Sequence, residues 1–254
     1  MSTLRQSEIL RLVRRKGNCT IEELARQLKV STETIRRNVK PLVSGRLVQK
    51  VHGGIVLPDE FGEPPLRARM SRNKAAKLAI AEGVADLISS GDSLIIDSGS
   101  TTAYVARALL DLKNLTVVTN SAYLANILAA ENSHRIFLAG GEMRGHDGAA
   151  FGQDAITFLG RFEVDYAVLS VGAIHGQGGF LVHHLCEADF SGTAIKQAQT
   201  TVFAADSSKF DRMAPVKLCD LAAADYVVTD RLPSGELRRR LDHAEVSMVL
   251  GAVA

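Results

Sequence analysis

Short apolar runs recur along residues 73–254 and alternate with amphipathic stretches such as Ala103–Leu110 and Ala122–Ala130. The runs are Ser93–Asp97, Leu115–Thr119, Arg135–Ala139, Tyr166–Ser170 and Thr201–Ala205, with two later candidates at Tyr226–Thr229 and Val246–Val249. A strand that is apolar on both faces has to be covered on both faces, which favours a parallel sheet with helices on each side. The pattern therefore predicts an α/β fold with a mainly parallel sheet.

Small or polar residues follow five of these runs. The clusters are Asp97-Ser98-Gly99-Ser100-Thr101-Thr102, Asn120-Ser121, Gly140-Gly141, Ser170-Val171-Gly172 and Asp206-Ser207-Ser208-Lys209. The carboxyl ends of parallel strands share one edge of a sheet, and ligands bind at that edge. The candidate ligand-binding residues are Asp97, Ser98, Gly99, Ser100, Thr101, Thr102, Asn120, Ser121, Gly140, Gly141, Gly172, Asp206 and Lys209.

The first of these clusters has the chemistry of a phosphate site. It combines a flexible glycine at Gly99 with hydroxyl groups and the start of a helix, whose free amides attract anions. Lys209 would supply a cation, and Asp97 or Asp206 would accept hydrogen bonds from ligand hydroxyls. The alternatives are that the cluster only caps a helix and that the aspartates only anchor loops.

The charges of the chain are divided unevenly. Residues 1–57 contain 12 Lys and Arg and 4 Asp and Glu, whereas residues 58–254 contain 18 and 24, although the whole chain has a net charge of only +2. Cations that neutralise DNA phosphates release counterions, which favours binding. We therefore expect a basic DNA-binding domain at 1–57, a linker rich in proline and acidic residues at 58–72, and a ligand-sensing domain at 73–254.

Three short helices are predicted within residues 1–57. The first ends at Gly17, the second begins at Thr20, which forms a capping box with Glu23, and the third begins at Ser31. A hairpin wing follows, with its turn at His52-Gly53-Gly54. This is the pattern of a winged helix-turn-helix, and a solvated basic helix is the alternative. The candidate DNA-binding residues are Ser31, Thr32, Thr34, Arg36, Arg37, Lys40, Lys50 and His52.

The Ser-capped Thr-Ile-Arg-Arg helix and the His-Gly-Gly wing resemble the DeoR family of bacterial repressors. Two positions depart from that family's pattern: Asn38 stands where an aspartate is usual, and Pro41 stands within the third helix. Because proline in a helix interior costs about 3 kcal/mol, we expect this helix to end or kink near Lys40.

The resemblance implies that residues 73–254 are similar to ribose-5-phosphate isomerase in fold and sense a phosphorylated sugar or polyol. The segment Ala139–Arg144 with Asp147-Gly148 further resembles the branch that regulates glycerol 3-phosphate metabolism, which makes glycerol 3-phosphate the first candidate effector. The chain is then expected to be a repressor of a carbohydrate or polyol operon, to bind double-stranded operator DNA as a dimer or tetramer, and to release it when the effector binds.

An isomerase fused to a DNA-binding module is the alternative function. The isomerase carries paired aspartates and a Lys-Gly-Gly stretch after its fourth strand, whereas this chain has Ser170-Val171-Gly172-Ala173-Ile174-His175-Gly176 there. We therefore expect no enzymatic activity and no cofactor. Cys19, Cys186 and Cys219 have no metal-ligand spacing, and neither do the histidines, so no metal site is expected. The sequence shows no apolar run near the roughly 20 residues of a membrane span, and a cytoplasmic location is expected.

Overall fold

A computed structural model describes residues 4–16, 18–45, 47–51, 53–56, 64–130 and 133–251. These residues form two compact units, Met1–Arg72 and Asn73–Ala254. None of the helices in these ranges is long and apolar enough to cross a membrane.

The amino-terminal unit contains short helices and a small antiparallel sheet. Its helices are α1 (Leu4–Lys16), α2 (Ile21–Leu28), α3 (Thr32–Ser44) and α4 (Leu66–Met70), and its strands are β1 (Asn18–Thr20), β2 (Gln49–Val51) and β3 (Gly54–Val56). The strand order is β1-β3-β2. Thr20 and Glu23 form the predicted capping box, and the Ser31 hydroxyl accepts a hydrogen bond from the amide of Thr34, so both helix starts lie where the sequence placed them. The unit has its own hydrophobic core, which includes Ile9, Val13, Leu24, Ile35, Leu42 and Ile55.

Of the two outcomes expected at Pro41, an end of α3 near Lys40 does not occur. The helix continues through Pro41 to Ser44. Proline has no amide hydrogen to donate to the carbonyl of Arg37, but Arg37 and Pro41 are both exposed, so water can bind that carbonyl. Val39 and Leu42 are buried on the opposite face, and this burial favours helix on both sides of the proline.

The carboxy-terminal unit is built on one parallel sheet with helices between its strands. In the part of the chain that is described, the sheet strands are β4 (Ser93–Ile96), β5 (Thr116–Thr119), β6 (Arg135–Leu138), β9 (Val164–Leu169), β12 (Ala198–Ala204), β14 (Tyr226–Thr229) and β15 (Ser247–Leu250). The helices are α5 (Lys74–Ala85), α6 (Ser100–Ala108), α7 (Ala122–Ala129), α8 (Gln153–Leu159), α9 (Leu185–Gln197) and α10 (Gly235–His243). All seven predicted apolar runs form strands of this sheet.

The strand order is β15-β14-β12-β9-β4-β5-β6, and every neighbouring pair is parallel. The chain therefore runs outward from β4 to β6, returns to the other side of β4 at β9, and continues to β15. The direction of growth of the sheet reverses between β4 and β9, and in open α/β sheets the ligand crevice lies at such a reversal, at the carboxyl ends of the strands. The hydrophobic core around the sheet includes the strand residues Ile95, Val118, Leu169, Phe203 and Val227.

Two smaller sheets lie outside the predicted pattern. A hairpin joins β7 (Glu142–Arg144) to β8 (Ala149–Phe151), and a second antiparallel sheet has the order β10-β11-β13, from Ala173–His175, Gly179–Val182 and Val216–Cys219. The first two residues of β7 are exposed, so this strand has no apolar signature in the sequence. The hairpin is tied to the main sheet by hydrogen bonds with the segment that follows β5.

Candidate nucleic-acid interface and effector site

One face of α3 carries exposed cations. Arg36, Arg37 and Lys40 are exposed, whereas Ile35 and Val39 on the opposite face are buried. The carboxylate of Glu33 lies 3.8 Å from the Arg36 guanidinium, but both side chains are well exposed, and such a pair is weak enough to leave Arg36 available to DNA. This face therefore offers arginine for guanine and lysine for phosphate.

Several polar residues of α3 serve the helix itself. The hydroxyls of Ser31 and Thr34 lie 2.9 Å apart, and Ser31 caps the helix, so these two groups fix its start. The side-chain amide of Asn38 donates to the carbonyl of Thr34 at 2.9 Å, which turns this unusual residue towards its own backbone. Thr32 is half-buried at the first position of the helix, and Lys50 is exposed on β2. His52 lies outside the described residues.

Asp97 and Ser170 join the two strands that flank the crevice. The Asp97 carboxylate accepts a hydrogen bond of 2.9 Å from the Ser170 amide and bonds of 3.1 and 3.2 Å from its hydroxyl. Burial raises the pKa of Asp97 to about 7, against the opposing effect of the bonds from Ser170, and the negative charge of Glu187 adds to the rise. Asp97 is thus a buried structural carboxyl group at the predicted position.

The loop from Ser98 to Thr102 packs closely against Ser170 and leads into α6. A Cβ at Gly99 would lie 2.2 Å from the Ser170 hydroxyl oxygen, so no larger residue fits there. The Thr102 hydroxyl donates to the carbonyls of Asp97 and Gly99 at 3.0 and 3.2 Å and holds the loop closed. Gly99 is the N-cap and supplies no side-chain cap.

Ser100 and Thr101, in the first turn of α6, differ from Thr102. They are only 7% and 6% exposed, and their hydroxyls make no hydrogen bond with any described residue. The first-turn amides of α6 likewise have no acceptor among the described residues. These amides and hydroxyls are donors at a helix start, the kind of group that binds anions. Ser98 is half-buried beside them.

The segment after β5 binds the hairpin. Asn120 exchanges backbone and side-chain hydrogen bonds with Ala150 at 2.8 and 3.0 Å, and its side-chain oxygen is buried with no partner in the described structure. Ser121 caps α7 by accepting from Leu124 at 3.3 Å, so its hydroxyl is occupied. Asn120 is therefore the residue of this pair with an unused acceptor.

The remaining predicted residues are placed at turns or in a different cleft. Gly140 and Gly141 are exposed at the entry to the hairpin, and Gly141 has a φ of 133°, which favours glycine. Gly172 packs against the ring of His183, where a Cβ would approach to 2.9 Å.

Asp206 caps the turn Ser207–Lys209 and accepts from Asn73 at 3.0 Å. It lines a cleft of about 380 Å³ that includes Asp230 and the start of α5, at the ends of β12 and β14. Lys209 is half-buried at the end of the same turn. In the sheet, β12 is separated by β9 from β4, the strand that leads into α6.

Sequence reasoning missed two features of this unit. Lys77 is 4% exposed on α5, which packs on α6, and its position among the apolar residues of that helix was the available signal. Arg144, Asp147 and Glu187 form an ion-pair network between the hairpin and α9. The pairing of Arg144 with Asp147 is local, whereas its pairing with Glu187 depends on the fold.

A helix-turn-helix unit with a cationic recognition helix, joined in one chain to a parallel α/β unit, defines a ligand-responsive transcription regulator. Residues 5–61 match the DeoR-like helix-turn-helix domain, and residues 72–231 match the DeoR C terminal sensor domain. The chain belongs to the DeoR family of transcriptional repressors.

Full-length relatives support the same assignment. The glycerol-3-phosphate regulon repressor of Escherichia coli is 34% identical over 98% of both chains, and that of Haemophilus influenzae is 35% identical over 92% of this chain and 91% of its own. The E. coli repressor CsqR is 33% identical over 97% of this chain and 94% of its own. Ribose 5-phosphate isomerase A from Methanocaldococcus jannaschii aligns over 55% of each chain with 19% identity and a TM-score of 0.40, an overlap too weak to bear on activity.

Proposed function

We propose that this repressor binds operator DNA through Arg36, Arg37 and Lys40 of α3 and releases it when a small phosphate ester binds at the start of α6. The observation that carries the effector site is the first turn of α6, which has no side-chain cap and contains Ser100 and Thr101, whose hydroxyls bind no described residue. Amides and hydroxyls in that arrangement bind a phosphate group. Glycerol 3-phosphate is the first candidate, since two of the full-length relatives are named as repressors of its regulon.

The effector lowers DNA affinity if it binds the low-affinity conformation of the repressor more tightly than the high-affinity one. A tenfold loss of operator affinity needs about 1.4 kcal/mol of coupling between the two sites. A modest rearrangement is enough to supply it.

We propose binding without catalysis at the carboxyl edge of the sheet. An isomerase needs a carboxylate placed beside the carbon that loses its proton. The Asp97 carboxylate instead accepts from Ser170, and the Glu187 carboxylate accepts from two backbone amides and Arg144, so both carboxylates link parts of the fold. Incubation with ribose 5-phosphate should leave its concentration unchanged, and isomerisation above the rate of a buffer control would contradict this part of the proposal.

The repressor is further proposed to be an oligomer that acts in the cytoplasm, where bacterial DNA lies. Helix-turn-helix proteins bind paired half-sites with two copies of the recognition helix. Light scattering on the purified chain, alone and with a duplex selected from a random pool, would give the oligomeric state. A protein that stays monomeric on its selected duplex would contradict this expectation.

The central test is a thermal-unfolding screen of the full chain with glycerol 3-phosphate and a set of sugar phosphates, each beside its unphosphorylated parent. A ligand at about 100 times its Kd adds about 2.7 kcal/mol of apparent stability. The proposal predicts stabilisation by at least one ester and none by its parent, and the same ester should weaken binding to the selected duplex. If no ester stabilises the protein, or if the unphosphorylated parent compounds stabilise it equally, the phosphate site is refuted.

A further inference from the structure

The Arg144 guanidinium is held rigidly at the tip of the β7–β8 hairpin. Its Nη2 donates to Glu187 Oε1 at 2.7 Å, its Nε lies 3.1 and 3.2 Å from the Asp147 oxygens, and Nη2 also bonds to Asp147. The ring centroid of Phe151 lies 4.4 Å from the guanidinium carbon. A planar cation with bonds along two edges and an aromatic ring against its face has little freedom to move.

This network borders the crevice between β4 and β9. Glu187 Oε2 accepts from the amides of His183 and His184, both at 3.2 Å, and so caps α9. His183 packs on Gly172, two residues beyond Ser170, which is bonded to Asp97. The charge of Glu187 acts on Asp97, so the cluster and the end of β4 share one electrostatic environment.

The hairpin connects elements that lie on the two sides of β4. It is tied to the end of β5 by the bonds between Asn120 and Ala150, and to α9 by Arg144. β5 lies on one side of β4, whereas α9 packs on β9 and β12 on the other side. The hairpin thus bridges elements on both sides of β4, the strand that leads into α6.

Two unused hydrogen-bonding groups belong to the hairpin and to the segment bonded to it. The contact given for Arg144 Nη1 is with Cys186 Sγ at 3.9 Å, and sulfur is a weak acceptor. Within the described structure, Nη1 therefore keeps donor capacity for an oxygen. The Asn120 side-chain oxygen is an acceptor that is buried without a described partner. One donor and one acceptor are what a hydroxyl group needs, because it both accepts and donates.

The charges of the cluster oppose a second anion. Arg144 contributes one positive charge, and Asp147 and Glu187 contribute two negative charges within bonding distance. A ligand carboxylate placed here would meet net negative charge in a partly buried site, where such repulsion is only weakly screened. A neutral hydroxyl meets no such penalty.

We propose that Arg144, fixed by Asp147 and Glu187, determines the effector's specificity by binding the neutral hydroxyl end of a phosphate ester and by excluding esters that carry a carboxylate there. This inference rests on the proposed function, because it assumes that the ester's phosphate binds at the start of α6. Arg144 is then a specificity-determining residue, and Asp147 and Glu187 are positioning residues.

Calorimetric titration of the full chain with matched ligands tests this assignment. The pairs are glycerol 3-phosphate with 3-phosphoglycerate, and glucose 6-phosphate with 6-phosphogluconate, in which a carboxylate replaces the neutral end. In whichever pair binds, the neutral ester should bind at least about tenfold more tightly. Glu187→Gln keeps the shape of the side chain but removes a negative charge, and it should reduce this preference by about tenfold. Glu163→Gln, at an exposed glutamate, is the matched control and should keep the preference.

The outcomes separate this inference from the proposed function. Equal affinity for the two members of a pair in the unsubstituted protein, or an unchanged preference in a folded Glu187→Gln variant, would overturn the role of the cluster and leave the phosphate site standing. If Glu187→Gln fails to fold, the Arg144→Lys variant is tested in its place. Loss of the planar guanidinium group should weaken binding of the neutral ester by about tenfold, and unchanged affinity would overturn the inference. Failure of every ester to bind would refute the phosphate site, and this inference with it.

Discussion

The Asp97 carboxylate, directly after β4, accepts hydrogen bonds from both the amide and the hydroxyl of Ser170, directly after β9. One side chain thereby links the two strands at which the sheet reverses its direction of growth. The loops to α6 and to β10 leave from this link, so it holds their starting points together.

Replacement of Asp97 by Asn should stabilise the protein in a pH-dependent way. Burial raises the pKa of Asp97 to about 7 from 3.8, so the folded state binds more protons than the unfolded chain between these values. Stability from this group therefore falls as pH rises from about 4 to about 7 and stays low above that. Asn keeps an acceptor for the Ser170 amide without a charge, and its stability advantage should reach about 1–3 kcal/mol near pH 8.

Urea unfolding of both proteins at several pH values between 4.5 and 8 measures this difference. The comparison cancels the titration of groups common to both chains. A difference that stays constant over the whole range would contradict the raised pKa.

Thr101 and Thr102 should respond differently to the same substitution. Thr102 donates to two backbone carbonyls, so Thr102→Val breaks a buried bond and should cost about 1–3 kcal/mol of stability. Thr101 has no such bond among the described residues, so Thr101→Val should leave stability nearly unchanged and weaken the effector response. Thermal unfolding and effector titration of each variant would measure the two effects, and the reverse result would move the phosphate away from the first turn of α6.

Gly99→Ala should destabilise the packing between the loops that follow β4 and β9. A Cβ at this position would lie 2.2 Å from the Ser170 hydroxyl oxygen and 2.9 Å from its Cβ, so the loops after β4 and β9 would have to separate. Overpacking of this kind costs about 1–3 kcal/mol. Gly140→Ala, where no atom lies within 4 Å of the added Cβ, is the control in a neighbouring loop. Equal unfolding midpoints for the two variants would show that the loops are not closely packed.

The sequence predicted local features well because their signals are local. Thr20 and Ser31 begin helices through bonds to residues three positions later, and the apolar runs form strands because both of their faces are buried. Arg144 pairs with Glu187, which lies 43 positions away in the chain, so no local sequence pattern predicts this contact. Thr101 and Thr102 are adjacent and identical, so only the orientation of α6 distinguishes the threonine that closes the loop from the one whose hydroxyl is unused.

Pro41 shows how burial can outweigh local preference. Pro41→Ala would restore an amide donor for the carbonyl of Arg37 in a helix that already extends to Ser44. The exposed site has room for the change, so the variant should gain up to about 3 kcal/mol in stability. Chemical unfolding, followed by the helical signal in circular dichroism, measures the gain. A variant less stable than the parent protein would indicate that the proline is favoured at this position.

Arg36 and Arg37 should be needed for binding to DNA but not for binding of the effector. Both side chains are exposed on α3, so Arg36→Ala and Arg37→Ala should leave the fold intact and weaken specific duplex binding, by about 1–3 kcal/mol for an arginine that contacts a base. Arg239→Ala, at an exposed arginine of α10, removes the same charge and is the control. Fluorescence anisotropy with the selected duplex and a scrambled one, at two salt concentrations, distinguishes the roles: a base contact changes the ratio of the two affinities, whereas a phosphate contact weakens both and reduces the dependence on salt. Full affinity and specificity in both variants would show that α3 does not read the operator.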